Sequence, residues 1–125
     1  MYLLTADVIP IEEYFQKRLR GKPTLVHFSA DFCPPCKTLK KNELPRIQQT
    51  YGENIQILMI DIEDDEGDKL YWHYATPIGV RGMPFLVGFN KEGQCLGYVS
   101  GNKPKKIQEL VTLLFQKENT SNKSL

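Results

Sequence analysis

The chain has 125 residues, which is the size of one domain. Hydrophobic residues make up 41% of the sequence and charged residues 25%, so the chain can bury an ordinary core without a structural metal or a disulfide framework. Sixteen basic and fifteen acidic residues leave a net charge of +1, which gives no reason to expect nucleic acid or an anionic membrane as a partner.

The first half of the chain alternates strand and helix patterns. Residues 2–5 are a candidate strand, and a helix beginning at Pro10 follows them. The apolar run Thr24–Ala30 predicts a buried strand, and the next helix extends to Tyr51. Pro45 lies inside that helix and predicts a kink.

The second half predicts a buried strand, a helix, a hairpin and a closing helix. The nearly continuous apolar run Ile55–Ile60 is typical of a parallel sheet that is covered on both faces. Asp65–Ala75 predicts a helix that ends before Pro77. The remaining predicted elements are two strands and a last helix: Phe85–Phe89, Gln94–Val99 and a helix beginning at Pro104.

The order β-α-β-α-β-α-β-β-α predicts an α/β domain with a mixed central sheet between two helical layers. Residues 1–116 would form this domain, and the polar residues 117–125 a disordered tail. No segment approaches the roughly 18 apolar residues of a membrane span. The start of the chain lacks the pattern of a signal peptide, so we expect a cytoplasmic protein if Met1 is the natural start and a periplasmic one if a leader preceded it.

The sequence Cys33-Pro34-Pro35-Cys36 directly follows the predicted strand Thr24–Ala30 and begins a helix. A Cys-x-x-Cys pair at such a junction of an α/β chain is typical of a redox dithiol. Free backbone N–H groups and the helix dipole favour a thiolate at Cys33, and the thiolate is the form that attacks a disulfide. We therefore expect Cys33 to be the exposed thiol with a low pKa, and Cys36 to be the buried thiol that resolves the mixed disulfide.

Two other interpretations of the cysteine pair are a permanent staple and half of a zinc site. A four-residue loop would stabilise the fold by only about 2 kcal/mol, which is less than a long loop would contribute. Tetrahedral zinc needs about four ligands. Cys95, His27 and His73 have no metal-like spacing to the pair, so we expect a redox site and no metal.

Two segments resemble the thioredoxin family. Residues 25–37, LVHFSADFCPPCK, resemble its active-site signature, and residues 79–85, GVRGMPF, resemble the loop in which the family carries a cis proline. The resemblance extends from the first predicted helix to Phe115 and implies a thioredoxin fold. It also implies that Cys33 is the attacking cysteine and Cys36 the resolving one.

The same resemblance implies a surface for an extended client peptide beside the dithiol. Pro84 would be cis, and Met83 would present its backbone to the client. An ordinary proline at the start of a strand and an ordinary turn glycine are the alternatives at positions 84 and 101. The implied client-binding residues are Phe32, Pro34, Met83, Pro84 and Gly101.

Three positions depart from the thioredoxin pattern. His27 stands where the family has a buried aspartate, Phe32 where it has a tryptophan, and Ile57 where it has a buried lysine. His27 is the third candidate catalytic residue, because an imidazole could accept or relay the proton of Cys36. The alternative is a core histidine that bonds to backbone.

The stretch from Asp61 to Pro84 is longer than in thioredoxins. Together with the lysine-rich helix after Cys36, it is similar to bacterial electron-relay domains such as the C-terminal domain of DsbD. Its acidic run lacks the glycine and glutamate positions of a calcium loop, so we expect a solvated helix start. Residues 70–74, LYWHY, are expected to pack in the core rather than bind a partner, and Cys95 to be a buried small hydrophobe rather than a regulatory thiol.

The sequence therefore predicts a thiol–disulfide oxidoreductase that needs no bound cofactor and acts as a reductase of protein clients. Its expected partners are clients with disulfides and a reductase or membrane electron donor. We expect a monomer that neither binds nucleic acid nor inserts into a membrane. The alternatives are an envelope disulfide oxidant or electron relay, and a client-binding module with an incidental dithiol, against which the intact cysteine pair argues.

Overall fold

A computed structural model of the chain describes residues 21–79 and 82–116. The strand predicted at residues 2–5, the helix beginning at Pro10 and the tail at residues 117–125 lie outside the described residues.

Four strands of the described part form one mixed sheet: β1 Thr24–Ser29, β2 Gln56–Asp61, β3 Phe85–Phe89 and β4 Cys95–Ser100. Their order across the sheet is β2-β1-β3-β4. β1 runs parallel to β2 and antiparallel to β3, and β3 pairs with β4 as an antiparallel hairpin. The four strands predicted over this part are confirmed, with their ends shifted by at most one residue.

The helices cover both faces of this sheet. None of those within residues 21–79 and 82–116 is long and apolar enough to cross a membrane. They are α1 Pro34–Thr38, α2 Leu44–Tyr51, α3 Asp65–Ile78 and α4 Pro104–Leu114, with a π-helical turn at Leu39–Glu43 between α1 and α2 and a short 3₁₀ turn at Gly52–Asn54.

The disturbance predicted at Pro45 takes the form of the π-helical turn that precedes it. The N–H of Leu44 bonds to the carbonyl of Leu39, five residues back, and Pro45 follows with no N–H to donate. Five residues on a regular α-helix would point about 140° apart. The wider π-helical turn rotates less about the helix axis per residue, so it brings Leu39 and Leu44 to the same face. Both side chains are buried.

α3 extends beyond the end predicted for it. The prediction that the helix stops at Ala75 is wrong, since it continues through Pro77 to Ile78. Pro77 lies in the last turn, where its missing N–H removes one hydrogen bond and no further turn depends on it. Gly79 then ends the helix in the left-handed region at φ +74°, and its N–H bonds to the carbonyls of Ala75 and Thr76.

Alternate residues of each strand point to opposite faces of the sheet and build two cores. On the α3 face the buried residues are Val26, Phe28, Ile60, Leu70, Tyr71, Ala75, Phe85, Val87 and Phe89. On the opposite face, under the π-helical turn, α2 and α4, they are Leu25, Leu39, Leu44, Ile47, Ile55, Leu86, Val99, Ile107, Leu110, Val111 and Leu114. The dithiol follows the C-terminal end of β1, the strand that packs against both of these layers. Packing on both faces of β1 therefore holds the dithiol in position.

Candidate active site

Cys33 and Cys36 are joined by a disulfide at the start of α1, with their Cα atoms 5.3 Å apart. Cys33 has extended backbone and is the N-cap of the helix, and its Sγ accepts a hydrogen bond from the N–H of Cys36 at 3.2 Å. Pro34 and Pro35 fill the first two helical positions, where no intrahelical partner for an N–H exists. The sequence therefore builds the strand-to-helix junction that the motif predicts.

The disulfide lies in a small apolar cluster of its own. Ala30 and the two cysteines are buried, and Ile62 and Met83 pack against them. The prediction that Cys33 is exposed is wrong for this oxidised form: only 5% of Cys33 is exposed, against 0% for Cys36. The side chains of Ile62 and Met83, which come from two other loops, account for this burial.

The loop of Met83 and Pro84 and the turn at Gly101 meet beside the dithiol. The Met83–Pro84 peptide bond is cis, as the resemblance implies. Gly101 has φ +98°, a conformation that favours glycine, and its N–H donates to the carbonyl of Pro84 at 2.8 Å. Phe32 is 69% exposed in the loop before Cys33, and Pro34 is exposed in the first turn of α1. Met83 and Gly101 are partly exposed, whereas Pro84 is buried.

The turn after β2 contacts the loop that leads into the cysteines, which the sequence did not predict. The N–H of Asp31 donates to Oε1 of Glu63 at 3.2 Å, and the N–H of Ile62 donates to the carbonyl of Ser29 at 3.0 Å. These partners are about thirty residues apart in the chain. No local pattern marks such a pair, and only the parallel pairing of β1 with β2 brings them together.

His27 lies in the middle of β1, between Met59 of β2 and Leu86 of β3. It shares a face of the strand with Leu25, which belongs to the same buried cluster as Leu39 of the π-helical turn. The side chain is fully buried, and neither ring nitrogen has a hydrogen-bond partner within the described ranges. The expected alternative, a core histidine bonded to backbone, has no support in these contacts.

Burial and, to a smaller extent, the positive charge of Lys40 together lower the pKa of His27 to about 4. The imidazole is therefore neutral around pH 7, with one nitrogen able to donate and the other able to accept a proton. Lys40 belongs to the π-helical turn, so this turn brings a cation toward the buried ring.

Cys95 differs from its prediction. It begins β4 and is exposed, so the expectation of a buried small hydrophobe is wrong. The edge position of β4 within the described sheet leaves the residue open to solvent. Its thiol lines an apolar groove of about 240 Å³ between α3 and β4. Partial desolvation there raises the pKa of Cys95, against the opposing effect of a backbone hydrogen bond from Gly97.

The aromatic segment at residues 70–74 is divided between core and surface. Leu70 and Tyr71 are buried, whereas Trp72 is 43% exposed and its indole N–H donates to Asp68. Among residues 21–79 and 82–116, no group of three His, Cys, Asp or Glu side chains is placed to hold a metal ion.

Comparison with known proteins identifies related chains over most of this length. A model of the thioredoxin family matches residues 8–113. The chloroplastic thioredoxin-like protein HCF164 of Arabidopsis thaliana is 30% identical over 103 residues, which cover 82% of this chain and 36% of that protein. The thiol:disulfide interchange protein DsbD of Salmonella typhimurium is 30% identical over 77 residues, which cover 60% of this chain and 13% of that protein.

The chain thus spans about a third of the length of the plant relative. Among solved structures, oxidised mitochondrial thioredoxin 3 from Saccharomyces cerevisiae superposes with a TM-score of 0.63 at 24% identity, over 80% of this chain and 86% of that one. This likeness shows the fold, a mixed sheet between two layers of helices.

Proposed function

Because the chain belongs to the thioredoxin family, we propose that it exchanges disulfides with protein clients through Cys33 and Cys36, and that it acts as a reductase. The observation that carries the proposal is the Cys33–Cys36 disulfide at a strand-to-helix junction, packed against the loop with the cis proline. No separate cofactor is required, because the electron pair is carried by the two sulfurs.

In the proposed reaction, the thiolate of Cys33 attacks one sulfur of a client disulfide. An S–S bond forms between Cys33 and the client, and the second client sulfur leaves as a thiolate. Cys36 then loses its proton and attacks Sγ of Cys33, which releases the first client sulfur. The client gains two electrons, and the protein ends in the disulfide form that the structure shows.

The burial of the disulfide supports the reductive direction. The two cysteines lie in an apolar cluster, where a thiolate is less well solvated than in water. Burial therefore favours the neutral disulfide over a reduced pair in which one cysteine is a thiolate. A pair that is stable as a disulfide has a low reduction potential and gives up its electrons readily when reduced.

His27 is proposed to hold the proton of Cys36 during the second step. Its imidazole is neutral, buried and without a hydrogen-bond partner among the described residues. It lies on the face of β1 that is covered by the helical segment following Cys36. A pKa of about 4 makes it a weak base in the resting protein. The proton would therefore reside on His27 only while the Cys36 thiolate exists, which suits a relay rather than a permanent store.

The proposed client surface consists of the exposed Phe32 and Pro34 on one side of the disulfide, and of Met83, Pro84 and Gly101 on the other. An extended client segment would lie along the backbone of Met83 with its disulfide over Cys33. After each cycle a second protein must return two electrons. We propose a soluble reductase as the donor if the domain works in the cytoplasm, and a membrane electron donor if it works in the periplasm.

A relay in an electron-transfer pathway is the second candidate function. The sequence similarity to part of DsbD, a thiol:disulfide interchange protein, favours it. In that case the client would be the disulfide of one partner protein rather than a range of substrates.

Two measurements test the proposal. The equilibrium reduction potential of the Cys33–Cys36 couple against glutathione should lie near the roughly −270 mV of thioredoxins, and a value near the roughly −120 mV of DsbA would make the protein an oxidant. With dithiothreitol as donor, the protein should accelerate insulin reduction. The Cys33→Ser variant should not, and Cys36→Ser should trap mixed disulfides. Equal rates for the wild type and Cys33→Ser would contradict the exchange mechanism.

A further inference from the structure

Tyr71 of α3 donates a hydrogen bond from its hydroxyl to the carbonyl of Gly82, at 3.1 Å. Gly82 directly precedes Met83 and Pro84, the residues expected to meet the client. We propose that Tyr71 is a positioning residue that holds the cis-proline loop in the shape that a client peptide binds. This inference rests on the proposed function, because it concerns how a client is recognised.

The phenol ring of Tyr71 is held in place by the core. Only 3% of the residue is exposed, and its ring makes edge-to-face contacts with Phe28 at 5.9 Å and Phe85 at 5.7 Å between centroids. Desolvation raises the pKa of Tyr71, so the hydroxyl keeps its proton and remains a donor. The ring position is thus set by β1 and β3, and it fixes where the hydroxyl can bond.

The hydrogen bond completes a pair of anchors around Met83. On the N-terminal side, Gly82 is tied to α3 through Tyr71. On the C-terminal side, the carbonyl of Pro84 is tied to the N–H of Gly101. Met83 therefore lies between two fixed residues, and its side chain rests on the disulfide cluster.

This arrangement separates client binding from sulfur chemistry. A loop that is already in the bound shape spares the ordering cost that a mobile loop would add on binding. The cysteines lie at a different junction, held by β1 and α1, and among the described residues no hydrogen bond or ring contact joins Tyr71 to them. The Met83 side chain is kept in the disulfide cluster by its own apolar packing and not by the hydroxyl of Tyr71. Loss of the hydroxyl should therefore weaken binding of a peptide and leave the reactivity of the dithiol unchanged.

The test is the Tyr71→Phe variant, which keeps the ring and removes the donor. With insulin as client, KM should rise about threefold to tenfold at a nearly unchanged kcat, as expected for the loss of one partly buried hydrogen bond. The rate with a small disulfide that has no peptide backbone, such as dithiobisnitrobenzoate, and the reduction potential should both match those of the wild type. The matched control is Tyr98→Phe, which removes a hydroxyl from a half-exposed ring that also contacts Phe85 and should leave KM unchanged.

Nuclear magnetic resonance provides a second test that does not depend on catalysis. In the oxidised Tyr71→Phe protein, the amide signals of Met83 and Gly101 should shift or broaden in nuclear magnetic resonance spectra, and that of Lys37 should not. An unchanged KM with unchanged Met83 signals would overturn the inference. An equal loss of rate with insulin and with the small disulfide would also overturn it, since Tyr71 would then act on the dithiol. A wild type inactive on both substrates would instead reject the proposed function.

Discussion

Gly67 lies against the backbone carbonyl of Asp61, so closely that a Cβ atom at position 67 would overlap the carbonyl oxygen. Gly67 is in the first turn of α3, and Asp61 is the last residue of β2. Because Gly67 has no side chain, α3 can lie close to the end of β2 and begin within a few residues of it. The short turn between them carries Ile62 and Glu63, which contact the disulfide cluster and the loop before Cys33.

Replacing Gly67 by alanine should destabilise the protein. Alanine favours a helix by about 1 kcal/mol over glycine, but the new methyl group would have to displace backbone, which typically costs about 1–3 kcal/mol or more. We expect a net loss of up to roughly 2 kcal/mol, measured by urea unfolding. The control is Glu66→Ala in the same helical turn, which should change stability by less than about 0.5 kcal/mol. A Gly67→Ala protein more stable than the wild type would show that the turn after β2 can yield.

Stability should fall as the pH drops through the range in which His27 titrates. The unfolded imidazole binds a proton near pH 6.5, whereas the folded one does so only near pH 4. Between these values the unfolded state binds more protons, so lower pH favours unfolding. The stability that His27 contributes is complete above pH 6.5 and is lost toward pH 4, by up to about 3 kcal/mol.

The comparison of wild type with His27→Leu isolates this contribution from that of the carboxylates. Urea unfolding at pH 7, 6, 5 and 4.5 should show a shallower decline in the variant. Leu25→Val, which changes another buried side chain of β1 and no titratable group, should lower the stability at every pH and leave the decline as steep as in the wild type. Parallel curves for wild type and His27→Leu would mean that His27 takes up its proton in the folded protein near the ordinary pKa.

Single-turnover exchange should reveal whether His27 handles the proton of Cys36. We expect His27→Ala to slow resolution of the mixed disulfide more than its formation, because only resolution requires Cys36 to lose a proton. His27→Asp should recover much of the rate, since a carboxylate can take up the same proton. His27→Leu controls for packing. Stopped-flow traces from pH 6 to 9 in which the alanine and leucine variants resolve at the wild-type rate would assign His27 to the core alone.

Cys95 should be the one thiol that reacts in the oxidised protein, since the other two cysteines of the sequence form the disulfide. Its raised pKa leaves less thiolate at pH 7 than in a free cysteine. Labelling by iodoacetamide should therefore be slower than for a model thiol at pH 7 and accelerate as the pH rises. Cys95→Ser should abolish labelling and leave insulin reduction unchanged. Fast labelling at pH 6.5 would show that desolvation does not raise the pKa of this thiol.

The strands and the dithiol could be predicted because each depends on local pattern. Apolar runs mark β1 and β2, and the position of Cys33 after a strand marks the start of α1. The end of α3 could not be predicted, because a proline in a last turn and a proline that stops a helix have the same sequence signal. What separates them is Gly79, whose capping geometry becomes visible only in three dimensions.

The contacts that shape the site depend on pairs distant in sequence. The burial of Cys33 depends on Ile62 and Met83, and the exposure of Cys95 depends on the position of β4 at the edge of the described sheet. The hydrogen bond of Tyr71 could be expected only in general terms, since a buried tyrosine usually finds a partner for its hydroxyl. The sequence did not identify Gly82 as that partner.

The π-helical turn gives the helix after the dithiol a place where its length can change. Leu39 and Leu44 are five residues apart and both buried, and the wide turn accommodates the extra residue between them. If one exposed residue such as Asn42 were deleted, the two leucines would stand four apart and a regular α-helix would bring both to the core.

The same deletion within α2 would rotate Ile47 away from the sheet. Length differences between descendants of a common ancestor should therefore accumulate at Leu39–Glu43, where natural selection would tolerate them. The helical segments on either side should keep their length, so that their buried residues stay on the face toward the sheet.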